Sequence, residues 1–124
     1  MNPKKNLGIW MDYSSAQLID PDKDKNQIIQ SKFSSELQKE VMKKGEKHLH
    51  NKEEQMQQAY FNEIADKIHG YDQVLLFGPT NAKKELNHYL NEKELFKHVK
   101  ITLESADKMT ENERNAFVKR HFND

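Results

Sequence analysis

Lysine and histidine crowd one stretch of this chain: Lys39, Lys43, Lys44, Lys47, His48, His50 and Lys52 all fall between positions 39 and 52. Ammonium groups at that density are suited to neutralising phosphate, which binds nucleic acid without reading its bases. The imidazoles add charge below about pH 6.5. Lys43, Lys44, Lys47, His48, His50 and Lys52 are therefore the candidate RNA contacts. Glu36, Glu40, Glu46, Glu53 and Glu54 dilute the patch, and the opposing reading is a solvated loop with no partner.

A second anion candidate lies further on. Gly78-Pro79 precedes Thr80, Lys83 and Lys84, and a helix starting there would aim free N–H groups and its positive dipole end at an anion. The bland alternative is a tight turn that Thr80 merely caps. Neither G-x-x-x-x-G-K nor G-x-G-x-x-G is present, so no nucleotide loop is implied. His48-x-His50 supplies two metal ligands where zinc requires three or four. Asp12 sits where a nuclease of the ribonuclease-H class would hold metal, but no converging carboxylates accompany it. Its simpler role is to bond the Ser14-Ser15 turn. No catalytic set, metal or cofactor is assigned.

The elements that must position these residues follow from periodicity. Segments 7–13, 16–20 and 26–33 read as three strands separated by tight turns, an antiparallel meander. Segment 34–52 has few large apolar residues and is expected to be mobile, with room for a short helix over 36–43. From Lys52 the period changes. Met56, Tyr60, Ile64 and Ile68 recur every four residues beside Ala59, Phe61 and Ala65, one apolar helix face. Gly70 is the glycine expected after its end. Segment 72–77 is a continuous apolar run, as in a central parallel strand. A helix from Thr80 to Leu90 faces Ala82, Leu86, Tyr89 and Leu90 inward, 99–103 is the last strand, and Thr110 with Glu113 opens the last helix with a capping box. Trp10, Phe33, Phe61, Phe77 and Phe117 are read as core, and Tyr13 and Tyr71 as partly exposed. The order β-β-β-α-β-α-β-α gives an α/β fold, a ribonuclease-H-like mixed five-stranded sheet with helices packed on it. The open sheet leaves an unpaired edge through which a homodimer could form.

Composition narrows the classes. The 124 residues suit one domain, 1–124. Lys+Arg and Asp+Glu both total 20, so a nucleic-acid role must rest on a local patch rather than on overall charge. The absence of cysteine excludes disulfides and thiolate metal sites. The apolar run after Met1 is too short and too polar for a signal peptide, and no stretch approaches a membrane span, so a cytoplasmic protein is expected.

Several segments in order resemble one family. Gly8-Ile9-Trp10-Met11-Asp12-Tyr13 with Ala16-Gln17-Leu18-Ile19 looks like the opening hairpin of the middle domain of archaeo-eukaryotic class-1 release factors and Pelota rescue factors. Leu75-Leu76-Phe77-Gly78-Pro79-Thr80-Asn81-Ala82-Lys83-Lys84 is similar to that family's strand, Gly-Pro and lysine-bearing helix. Ala106-Asp107-Lys108-Met109-Thr110-Glu111-Asn112 resembles the stand-alone bacterial relatives. The resemblance implies a translation-associated accessory protein that binds ribosomal RNA or tRNA. Release factors carry Gly-Gly-Gln before the long helix. The matching segment here, Lys43-Lys44-Gly45-Glu46-Lys47-His48, has one glycine followed by a carboxylate, so release-factor catalysis is not expected. Two alternatives stand: a protein-interaction module with no nucleic-acid role, and a peptidyl-tRNA hydrolase using other residues.

Overall fold

The computed structural model describes residues 4–23, 26–31 and 46–123, and over 46–53 the backbone alone. Three antiparallel strands come first: β1 (Asn6–Met11), β2 (Ser15–Ile19) and β3 (Gln27–Gln30). Then follow α1 (Glu46–Ile68), β4 (Gln73–Gly78), α2 (Ala82–Asn91), a 3-10 turn over Glu94–Phe96, β5 (Lys100–Ser105) and α3 (Glu111–Asn123). The sheet has five strands in the order β3-β2-β1-β4-β5. β1 runs antiparallel to β2, with Gly8 opposite Ile19, and parallel to β4, with Gly8 opposite Leu75. β4 and β5 are also parallel. This is the mixed arrangement expected from the element order.

Alternation along the strands creates two apolar faces. Leu7, Ile9, Met11, Leu18, Val74 and Leu76 point to one, where Tyr60, Phe61, Ile64 and Ile68 of α1 and Leu86 and Leu90 of α2 bury them. Trp10, Ile19, Leu75 and Phe77 point to the other, where Val118 of α3 packs on them. There the rings of Phe77 and Phe117 stack with centroids 4.9 Å apart. Gly8 lets α3 come close, because a Cβ at that position would lie 2.3 Å from Val118 Cγ2.

Local rules account for the ends of the elements. Asp12 Oδ1 accepts from the backbone N–H of Ser14 at 2.8 Å and of Ser15 at 2.9 Å, which closes the first hairpin. Gly70 ends α1 with φ of +95°, the left-handed conformation that glycine adopts freely. The Thr110–Glu113 box forms in both directions: Glu113 N–H donates to Thr110 Oγ1 at 3.2 Å, and Thr110 N–H to Glu113 Oε1 at 3.1 Å.

Several expectations need correction. α1 begins at Glu46, not at Lys52, so residues 46–52 of the segment read as mobile are helical backbone. The rest of that segment, 34–45, lies outside the described residues, as does Phe33. Of the expected strand 26–33, β3 takes Gln27–Gln30, while Asn26 and Ser31 lie outside it. Ala59, placed by its spacing on the apolar face, is exposed. Thr80 is not the N-cap of α2; Asn81 occupies that position and makes no side-chain cap bond.

Candidate functional site

The chain leaves the centre of the sheet in opposite directions from two neighbouring parallel strands. From β1 it turns to β2, and from β4 it crosses through α2 to β5. In open α/β sheets a crevice outside the carboxyl ends of such strands is where ligands bind. Here that place is bounded by Asp12-Tyr13-Ser14 after β1 and Gly78-Pro79-Thr80 after β4. The two strand ends approach so closely that a Cβ on Gly78 would sit 2.2 Å from Met11 O. Gly78 also has φ of +149°, which side-chain-bearing residues rarely adopt.

Around this rim the side chains are tied down. Tyr60 Oη donates to Asp12 O at 3.0 Å. Burial first, then the charge of Asp12, pushes the phenol well above its usual pKa. Tyr13 Oη donates to the Glu85 carboxylate, and burial with that carboxylate raises the Tyr13 pKa to about 12. Thr80 Oγ1 accepts from Ala82 N–H at 3.2 Å.

Lys83 departs most from expectation. It is 4% exposed, and its Nζ donates to Gly78 O at 3.0 Å and to Thr80 O at 2.6 Å. Burial, and then the charge of Lys84, pulls its pKa below the usual lysine value. Its ammonium thus satisfies the carbonyls of the strand-to-helix loop instead of facing an anion in solvent. Lys84, one residue on, is exposed. Of the proposed anion set, Lys84 is the member that presents itself at the surface, beside a Glu85 engaged by Tyr13.

The basic set is placed by the backbone of α1. Tyr60 lies level with Asp12, at the carboxyl ends of β1 and β4, and Gly70 lies at their amino ends. The turns before Tyr60 precede the one bonded to Asp12 at those carboxyl ends. Lys47, His48, His50 and Lys52 belong to those turns. Lys43 and Lys44 lie outside the described residues. Among the described residues, no three His, Asp or Glu side chains are grouped to hold a metal, and no helix is long and apolar enough to cross a membrane.

A cavity of about 340 Å³ opens at the opposite, amino end of the parallel strands, lined by Lys5, Asp20, Lys23, Asp66, His69 and Tyr71 among others. Tyr71 Oη donates to Asp20 Oδ2 at 2.6 Å. Burial, then the Asp20 bond and charge, and then Asp22 raise the Tyr71 pKa. Sequence reasoning missed this cluster, because strand, turn and helix end contribute to it from separated positions.

No protein-family model and no curated protein matches the chain. Among solved structures it is similar to the crystal structure of the Thermoplasma acidophilum Pelota protein, with a TM-score of 0.55 and 17% identity over 94% of this chain. The match covers 32% of the Pelota chain, so this sequence spans about a third of that protein's length. The likeness shows the fold: a mixed, ribonuclease-H-like α/β sheet of the kind found in Pelota.

Proposed function

We propose that this chain is one domain, a translation-associated accessory module that binds ribosomal RNA or tRNA without release-factor catalysis. The observation that carries this reading is the Pelota-like fold over 94% of the chain. It agrees with the ordered resemblance of the hairpin, the Gly78-Pro79 crossover and the Thr110 region to the release-factor and Pelota family. Lys47, His48, His50 and Lys52 belong to the first turns of α1, ahead of the turn at which Tyr60 bonds Asp12, and on this reading they reach a phosphate backbone. Lys43, Lys44 and Lys47 are the principal phosphate contacts, and exposed Lys84 is a secondary one. The single glycine before Glu46 argues against the Gly-Gly-Gln mechanism.

The test is co-sedimentation with purified ribosomes across a salt series. Expected is binding that falls steeply as salt rises, since each phosphate contact adds to the salt slope, and that is lost when Lys43, Lys44 and Lys47 are all changed to Glu. Absence of binding at low salt would overturn the reading. It would leave the second one, a protein-interaction module, which the formal net charge of zero favours.

A further inference from the structure

We propose that β5 is a self-pairing edge, and that two copies of this chain join antiparallel through it into one continuous sheet. Among the described residues, β5 ends the sheet beyond β4, and at six residues it is longer than the opposite end strand β3, which has four. Edge strands that stay unpaired are commonly short, or carry charges of one sign, proline or a bulge, whereas the two charges of β5, Lys100 and Glu104, are of opposite sign and can pair with a second copy. β5, Lys-Ile-Thr-Leu-Glu-Ser, is full length and free of proline. Its Ile101, Thr102 and Leu103 are half-buried, with Lys100 and Glu104 exposed.

The backbone determines which groups are free. Lys100 N–H donates to Asp72 O at 3.0 Å, and Ala106 N–H donates to Gly78 O at 3.2 Å. Even-numbered residues of β5 therefore point their main-chain groups toward the β4 side. By strand alternation, Ile101 and Leu103 point theirs to the open edge. An antiparallel partner must place outward residues opposite outward residues, so the twofold axis has to pass through a residue and not between two.

Sequence chooses among the remaining registers. An axis through Thr102 sets Ile101 opposite Leu103 of the second copy as a hydrogen-bonded pair, and the reverse. It sets Lys100 opposite Glu104 at the non-hydrogen-bonded sites, where side chains come closest. Thr102 then meets itself across the axis, where hydroxyl pairs are favourable. An axis through Ile101 or Leu103 leaves the lysine or the glutamate opposite threonine. Only the register through Thr102 brings opposite charges together on one face while matching the two apolar residues on the other.

Sedimentation equilibrium of the whole chain tests this. The wild type is expected to show a species of twice the 14.7 kDa chain mass. Glu104→Lys puts lysine opposite lysine at both rims and should raise the dimer dissociation constant about tenfold or more. The double variant Lys100→Glu with Glu104→Lys should restore association. Amide exchange at Ile101 and Leu103 should be slow in the dimer and fast in the monomeric single variant. A wild type that is monomeric at all concentrations, or a dimer indifferent to Glu104→Lys, would overturn the proposal. Both altered residues are exposed, so the apolar core is left intact in every variant.

Discussion

On one face of the sheet, α1 and α2 together lay Tyr60, Phe61, Ile64, Ile68, Leu86 and Leu90 over the strands, all of them buried. On the other, α3 contributes Val118 as its one fully buried side chain. The rest of that second contact combines half-buried apolar groups, Met109, Phe117 and Phe122 among them, with directional bonds. Arg114 Nη1 donates to Gln17 Oε1 at 2.9 Å, and Gln17, itself 5% exposed, donates through Nε2 to Glu111 Oε1 at 3.2 Å. The Arg114 guanidinium lies 3.7 Å from the centroid of the Trp10 ring, a cation–π contact. Asn26 Nδ2 donates to Asn115 Oδ1 at 2.9 Å. One face is held by apolar volume, which is adaptable in shape. The other is held by Val118, a few half-buried apolar side chains and a polar network, and the directional bonds of that network demand one position of α3. The contrast locates most of the stability under α1 and α2 and most of the geometric specificity under α3.

The largest effect should come from cutting volume on the first face. Ile64→Ala removes a fully buried side chain and is expected to cost about 3 kcal/mol of unfolding free energy, as such truncations leave a cavity. Val118→Ala, which removes less hydrocarbon, is expected to cost about 2 kcal/mol. Urea denaturation of the two variants makes the comparison. Equal losses would break it, because α3 would then be as important to stability as the thicker layer.

A smaller effect sharpens the second half of the contrast. Gly8→Ala places a methyl 2.3 Å from Val118 Cγ2, and the overpacking is expected to cost about 2 kcal/mol. Because one side chain of α3 causes the clash, Val118→Ala should relieve it, and the double variant should be more stable than the sum of the two losses predicts. Strict additivity would mean that α3 shifts as a body instead of being held in one place.

The parts of this molecule that were legible in the sequence are those fixed by near neighbours. The turn bonds of Asp12, the four-residue recurrence of Tyr60, Ile64 and Ile68, the glycine after α1 and the box at Thr110 each involve residues a turn or less apart. What was not legible depends on distant partners. The Tyr60 hydroxyl finds the carbonyl of Asp12, and Tyr71 finds Asp20, across long stretches of chain. Lys83 reads as a surface charge, yet its place between Ala82 and Leu86 turns it inward. That is tolerable only because Gly78 and Thr80 offer carbonyls to its ammonium, and a linear sequence does not announce free carbonyls. The start of α1 was missed because the residues from Glu46 to Lys52 carry no apolar period, the signal that separates a packed helix from a loop. The basic candidates were found by residue type alone, which names the chemistry but not a partner.

The smallest expected effect concerns how α3 is started. The cap at Thr110 and Glu113 is local, so its removal should loosen the first turn without disturbing the face that α1 and α2 cover. Thr110→Ala is expected to cost about 1 kcal/mol. The reciprocal bonds from the Thr110 backbone and hydroxyl groups hold the Glu113 carboxyl below its usual pKa of 4.5. Since the folded value is the depressed one, the cap's contribution is present above pH 4.5 and is lost as pH falls through the folded pKa. A thermal melt series across that window should show the wild type losing its advantage over Glu113→Gln as acid is added, with the two curves converging at the acid end. If they stay parallel, the carboxylate is not what begins α3, and the position of that helix must be set by its tertiary contacts: Arg114 with Gln17 and Trp10, Asn115 with Asn26, Phe117 on Phe77, and Val118 against Gly8.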